Sequence, residues 1–191
     1  MSDLGDDICS PFFDESGSLH IVSSNSGNIS VLQEDVNVVH NTNGQPSAAA
    51  FDKSGALYIT DFAHGAVLIA QSGNDSASKR DFRYDQQEAV VAVYEDKILR
   101  GPSSIAFDQE GNIFFTDSGT NLQLKFLNSL LNFNFVCVFF SGPFGETGVH
   151  APFGSLFVIA DGASGKILKP IVFEKLAGPC AVAISNDQKF M

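Results

Sequence analysis

One hairpin recurs along this chain. Residues 101–119, "GPSSIAFDQEGNIFFTDSG", and residues 48–62, "AAAFDKSGALYITDF", fall into register when Phe107-Asp108 is laid over Phe51-Asp52. Residues 11–24, "PFFDESGSLHIVSS", follow the pattern more loosely from Phe13, and residues 181–191, "AVAISNDQKFM", begin it again at Ile184. Each copy is an apolar run, a tight turn and a second apolar run. The turns "DESG", "DKSG" and "DQEG" place Asp first and Gly last, a chemistry suited to joining antiparallel strands. Alternation with period two in "ALYIT" and "NIFFT" marks the strands themselves. A recurring supersecondary unit restricts the architecture more than composition does, because one unit cannot bury its own faces and must stack on its neighbours.

Two further apolar runs follow each hairpin. They are "NISVL" and "VNVVH" in the first unit, "AVLIA" and "AVVAVYE" in the second, "SLFVIA" and "ILKPIV" in the third. The unit is therefore four antiparallel strands, which is a β-propeller blade. A β-sandwich does not predict the same four-strand order with the same turn. The expected fold is all-β, a partial β-propeller with blades at about 8–40, 46–96 and 102–175 and the start of another at 178–191. Pro46, Pro102 and Pro179 each lie five residues before the anchor residue of their copy. A proline there stiffens the start of the innermost strand, where its missing N–H has no ladder partner to disappoint.

One segment does not fit. Residues 120–142, "TNLQLKFLNSLLNFNFVCVFFSG", carry a single charge, Lys125. Gln123, Lys125, Asn128, Asn132 and Asn134 interrupt it too often for a membrane span. Phe51 to Phe107 is 56 positions, but Phe107 to Ile184 is 77; without the 23 residues of 120–142 it is 54. The segment is thus an apolar insert in the third unit. A retained, translated intron accounts for it, since "VCVFFSG" suits a pyrimidine-rich tract followed by TCAG; a true insertion or an added strand at "NLQLKF" is the alternative.

The formal charge is −11, from 22 acidic and 11 basic residues, which argues against nucleic acid and anionic membranes as partners. Lys79, Arg80 and Arg83 cluster, but in one polar loop. The start, "MSDLGDDICS", lacks the apolar run of a secretory signal, and the acidic Asp3, Asp6 and Asp7 read as a solvated tail. Cys9, Cys137 and Cys180 are an odd set with no metal-binding spacing, as expected of reduced thiols in the cytoplasm. Partners are then an unknown protein or small molecule.

Candidate chemistry is sparse. "GASGK" (162–166) lacks the outer Gly and the terminal Ser or Thr of a phosphate loop and reads as a hairpin turn. His20, His40, His64 and His150 are scattered and expected to be structural. Asp61 and Asp117 each end the second strand of a unit, ten residues after the anchor Phe. They are expected to be turn carboxylates, accepting backbone N–H groups in the turn that follows.

The copies at 46–62 and 101–119 resemble NHL repeats. Together with "FGSLFVIADGASGKILKP" and "LAGPCAVAISNDQKFM" they resemble the SMP-30/gluconolactonase family and its strictosidine-synthase-like relatives. The resemblance implies a six-bladed propeller and, in some members, a metal-dependent lactonase or esterase. It also implies a calcium-like ion in the channel, held in part by asparagines of "PN" motifs. The matching positions here are Ser47, Ser103 and Cys180, with Cys9 in the weak first copy; none is Asn. The catalytic aspartate that the resemblance places later has no counterpart before Met191. No catalytic or metal residue and no cofactor is therefore expected. The functional expectation is a non-catalytic binding or scaffold module that self-associates. The alternative is a calcium-dependent lactone or ester hydrolase in a longer parent chain.

Overall fold

The computed structural model describes residues 7–72, 84–119, 153–163, 165–185, 187 and 191. The insert 120–142, the basic cluster at 79–83, His150 and Cys137 lie outside the described residues, as do Asp3 and Asp6. Within them the chain is all strand and turn, with no helix.

Three four-stranded antiparallel sheets carry the repeat. The first is β1 (Ile8–Phe13), β2 (Leu19–Ser23), β3 (Asn28–Leu32) and β4 (Val36–Asn41). The second is β5 (Pro46–Phe51), β6 (Leu57–Asp61), β7 (Ala66–Ser72) and β8 (Tyr84–Val91). A small hairpin, β9 (Val93–Tyr94) and β10 (Lys97–Ile98), precedes the third sheet: β11 (Pro102–Phe107), β12 (Ile113–Asp117), β13 (Gly154–Gly162) and β14 (Gly165–Leu176). Strand order within each sheet is the chain order. The three first strands lie side by side, β1 against β5 and β5 against β11. This is the blade arrangement of a β-propeller, with β1, β5 and β11 innermost.

The recurring turn explains why the hairpins form. In each, the Gly amide donates to the Asp carbonyl three residues back: Gly17 to Asp14, Gly55 to Asp52, Gly111 to Asp108. Those glycines sit at φ of 81°, 82° and 88°, a region where a Cβ is strained. The Asp side chain then caps the turn. Asp14 Oδ1 accepts from Ser18 N, Asp52 Oδ1 from Ser54 N and Ala56 N, Asp108 Oδ1 from Glu110 N and Asn112 N. The anchor Asp of the repeat is thus a local device that fixes hairpin register.

Inward side chains of neighbouring sheets interleave into two cores. Val22, Ile29, Val39, Leu57, Ile59 and Leu68 join blades one and two. Tyr58, Val67, Ile105, Ile113, Phe115 and Phe157 join blades two and three. Phe115 and Phe157 stack with centroids 5.3 Å apart. A polar bridge reinforces the first contact: buried His40, on β4, has Nδ1 2.7 Å from Tyr84 O and Nε2 2.6 Å from Gln87 Oε1, both on β8.

The structure departs from the sequence reading at the fourth strand of blade two. "AVVAVYE" is not one strand. β8 begins at Tyr84 and ends at Val91, and the chain then folds back through β9 and β10. Glu95 and Asp96 form the reversal, at φ of 48° and 61°. Two consecutive positive φ values give the tight hairpin turn usually signalled by Asn-Gly; here Glu-Asp occupies it. Residues 178–185 lie beside β11 without forming a strand: Val182 N donates to Ser104 Oγ at 3.1 Å. "GASGK" does turn a hairpin, with Gly162 paired to Gly165 across it.

Candidate functional site

The inner strands start at one face of the stack, and the expected ligand positions lie there. Each start is bulged, between Ile8 and Ser10, between Pro46 and Ala48, and between Pro102 and Ser104. The bulge turns the middle residue, Cys9, Ser47 or Ser103, out of the regular alternation. The Ser47 hydroxyl lies 2.7 Å from the Pro102 carbonyl oxygen of the next blade, and 3.0 Å from the Thr60 hydroxyl of its own. The Ser103 hydroxyl lies 2.9 Å from Pro179 O and 2.9 Å from the Thr116 hydroxyl. In the first copy Cys9 Sγ lies 3.7 Å from Pro46 O and 3.6 Å from Val22 O of its own blade.

The same position in three consecutive units therefore points at the equivalent carbonyl, that of the next copy's proline: Cys9 at Pro46, Ser47 at Pro102 and Ser103 at Pro179. A hydroxyl has one proton, and a carbonyl is an acceptor that cannot donate in return; for Ser47 the Pro102 carbonyl at 2.7 Å is a shorter contact than the Thr60 carbonyl at 3.1 Å. Ser47 and Ser103 thus act as latches between blades, and Cys9 as a weaker one because a thiol is a poor donor. Cys180, at the fourth such position, is exposed and carries a free thiol.

Beside each of the two serine latches stands a buried aspartate. Asp61 is fully buried and Asp117 is 6% exposed. Asp61 Oδ1 accepts from Gln45 N at 3.1 Å and His64 N at 2.9 Å, and lies 3.0 Å from His64 Nδ1. Its Oδ2 is buried without a hydrogen-bond partner. Asp117 accepts from Arg100 N at 3.0 Å and, at 3.4 Å, from Gly119 N. Burial pushes the Asp117 carboxyl above its usual range, against the pull of the Arg100, Gly119 and Gly101 amides and the Arg100 charge. The sequence reading gave both carboxylates the turn that follows. Each also reaches back 16 or 17 residues to the amide just before its own inner strand. The reason is register: Asp61 pairs with Pro46 and Asp117 with Pro102, so the carboxylate lies next to the inner strand's start.

The sequence reading missed the crevice around Asp117. Arg100, Lys97, Glu174, Phe153 and Phe173 line a space of about 20 Å3 there, about that of one water. Its charges are paired: Lys97 Nζ lies 3.1 Å and Arg100 Nη2 3.8 Å from Glu174 Oε1. Among the described residues no three His, Cys, Asp or Glu side chains cluster so as to hold a metal ion. No described helix is long and apolar enough to cross a membrane.

Solved structures share this architecture. A gluconolactonase from Xanthomonas campestris superposes with a TM-score of 0.65 at 18% identity, over 95% of this chain and 52% of its own. A streptogramin B lyase superposes at 0.59 and 12% identity, over 98% of this chain and 48% of that one. A virginiamycin B lyase from Staphylococcus aureus does so at 0.54 and 11%, over 95% and 46%. The chain folds as part of a β-propeller. It spans about half the length of these neighbours, and at such identities the likeness is one of fold. No protein-family model and no curated protein sequence matches it.

Proposed function

We propose that this polypeptide is a non-catalytic propeller module of the SMP-30/gluconolactonase and NHL-like kind, serving as a binding or scaffold unit in the cytoplasm. The observation that carries this reading is the latch. Where the resembled hydrolases present metal-binding asparagines, Ser47 and Ser103 spend their hydroxyl protons on the next blade's proline carbonyl. The residues at the channel face then serve to hold blades together. Exposed apolar side chains on the first and third blades, among them Phe13, Val38 and Ile171, fit a chain that self-associates. The coverage of about half of each neighbour fits an incomplete ring.

Hydrolysis of simple lactones and aryl esters by the purified chain, with calcium, manganese or zinc added in turn, tests this. The expected result is turnover no greater than the buffer blank. A saturable, metal-dependent hydrolysis would refute it. Light scattering after size exclusion tests self-association; a sharp monomer peak would contradict that part.

A further inference from the structure

Each junction between blades carries the same ring pair. Across the first, Phe51 meets His20 edge-to-face at 5.0 Å; across the second, Phe107 meets Tyr58 in the same way at 5.3 Å. The positions repeat. Phe51 and Phe107 end their inner strands, paired with Leu57 and Ile113. His20 and Tyr58 lie on second strands, paired with Phe12 and Ala50. In blade one the first position belongs to Phe13, paired with Leu19; in blade three the second belongs to Phe114, paired with Ala106. Neither meets another aromatic ring among the described residues. Phe13 is 65% exposed, whereas Phe51 and Phe107 pack on the cores between blades.

The faces around these two rings repeat as well. Blade two receives blade one on Ala49, Leu57 and Ile59; the register puts Pro11, Leu19 and Ile21 at those places in blade one. Blade two meets blade three through Tyr58, Val67 and Ile69; the register puts Phe114, Leu156 and Val158 there in blade three. One outer face of the stack is therefore built to receive a blade, and the other to be received. The three blades span 52% of the gluconolactonase and 48% of the streptogramin B lyase, so the two faces stand about half a ring apart. Only a second copy brings them together.

We propose that two copies associate head to tail, blade one of each on blade three of the other, closing a ring with Phe13 of one copy edge-to-face on Phe114 of the other. The contact is heterologous, and half a ring per copy is what lets it close after two. This rests on the self-association reading and gives it a geometry. Residues 178–185 lie in the same slot beside β11, held by Pro179 O on the Ser103 hydroxyl and Val182 N on Ser104 Oγ, with no strand pairing. A whole sheet face buries more apolar surface than this one segment and displaces it. The carbonyl of Ile8, at the register position of Pro46 and Pro102, then takes the place of Pro179 O on Ser103.

Sedimentation of the full chain tests it and should show a discrete dimer. Phe13→Asp and Phe114→Asp each spoil both contacts of the ring and should weaken the dimer about tenfold or more. Mixed, the two variants should pair again, because one of the two contacts then joins an unsubstituted blade one to an unsubstituted blade three. Capture of one tagged variant by the other reads this, and circular dichroism melting confirms that each is folded. If Phe114→Asp does not fold, Ile167→Asp, exposed on the same face, replaces it in the mixture. A monomeric wild-type chain would overturn this proposal together with the self-association reading. An open-ended assembly, a dimer that both variants leave intact, or folded variants that do not pair on mixing would overturn head-to-tail closure alone.

Discussion

Replacing Ser47 or Ser103 by alanine isolates the latch. Ser47→Ala removes the donor to Pro102 O at 2.7 Å and a partner of the Thr60 hydroxyl at 3.0 Å. Thr60 keeps the Ala48 amide and carbonyl, at 3.1 and 3.2 Å, so its own loss is small. Pro102 is buried, and its carbonyl loses this acceptor role. A neutral hydrogen bond contributes about 1 kcal/mol net, and a stranded buried acceptor costs about 1–3 kcal/mol. We therefore expect each Ser→Ala change to cost about 1–3 kcal/mol, and Cys9→Ala less, because its donor is weak and distant. For a chain of this size 1 kcal/mol lowers Tm by about 2–4 °C. Urea unfolding followed by circular dichroism measures this, once in EDTA and once in calcium chloride. The latch predicts the same loss in both. A loss below about 0.5 kcal/mol, the ordinary range for surface substitutions, would refute the latch. A loss seen only in calcium would show instead that the serines hold an ion.

Three further outcomes follow from the geometry. Asp117→Ala should cost about 1–3 kcal/mol by stranding the Arg100 amide, whereas Asp117→Asn keeps an acceptor, sheds a charge that burial disfavours, and should stay within about 1 kcal/mol of wild type; chemical denaturation of both at pH 7 decides. Gly44→Ala should destabilise by about 1–3 kcal/mol, because its Cβ would stand 2.5 Å from Asp61 Oδ2 and against the His64 ring; an unchanged melting temperature would contradict the packing around Asp61. Although burial opposes it, hydrogen bonds from Ser16, Ser18 and His20 hold the Asp14 carboxyl down at about 2, and Asp108 is lowered in the same way by Asn112, Glu110 and Gly111. A depressed carboxylate stabilises above its unfolded value, about 3.9, and that contribution is lost as pH falls toward the folded value. Stability should drop between about pH 4 and 2, less steeply in Asp14→Asn, and parallel acid profiles would count against the turn carboxylates. Asp117 works in the opposite sense, since its raised pKa makes ionisation unfavourable to the fold as pH rises.

What could be read from the sequence was local. The turn Asp and Gly at 14 and 17, 52 and 55, 108 and 111 act within four residues, so their chemistry repeats with their spacing. Alternation placed the hairpin strands for the same reason. The carboxylates of Asp61 and Asp117 were half legible: the following turn is a local matter, but the amides of Gln45 and Arg100 become neighbours only through β-pairing. The latches were not legible at all, because Ser47 and Pro102 lie 55 residues apart, and Ser103 and Pro179 lie 76 apart. The hairpin at Glu95-Asp96 was missed because its positive φ values are carried by residues that rarely adopt them.

The latch position also bears on how one fold takes different functions. The residue after each inner-strand proline lies at the bulge and so faces the next blade or the channel, according to its length and chemistry. A short donor such as Ser reaches the neighbouring carbonyl and stops there. A longer side chain with an acceptor oxygen gains little from that carbonyl, which also only accepts, and is free to turn toward a cation. One substitution at a bulge thus exchanges ion binding for cohesion between blades without disturbing the hairpins, whose register is held at the other end by Asp14, Asp52 and Asp108. Ser47→Asn with Ser103→Asn tests this exchange. The double variant should lose about 2–4 kcal/mol in EDTA, two latches' worth, and recover part of it in calcium. Equal stability in both buffers would show that the bulge position alone does not make the ion site.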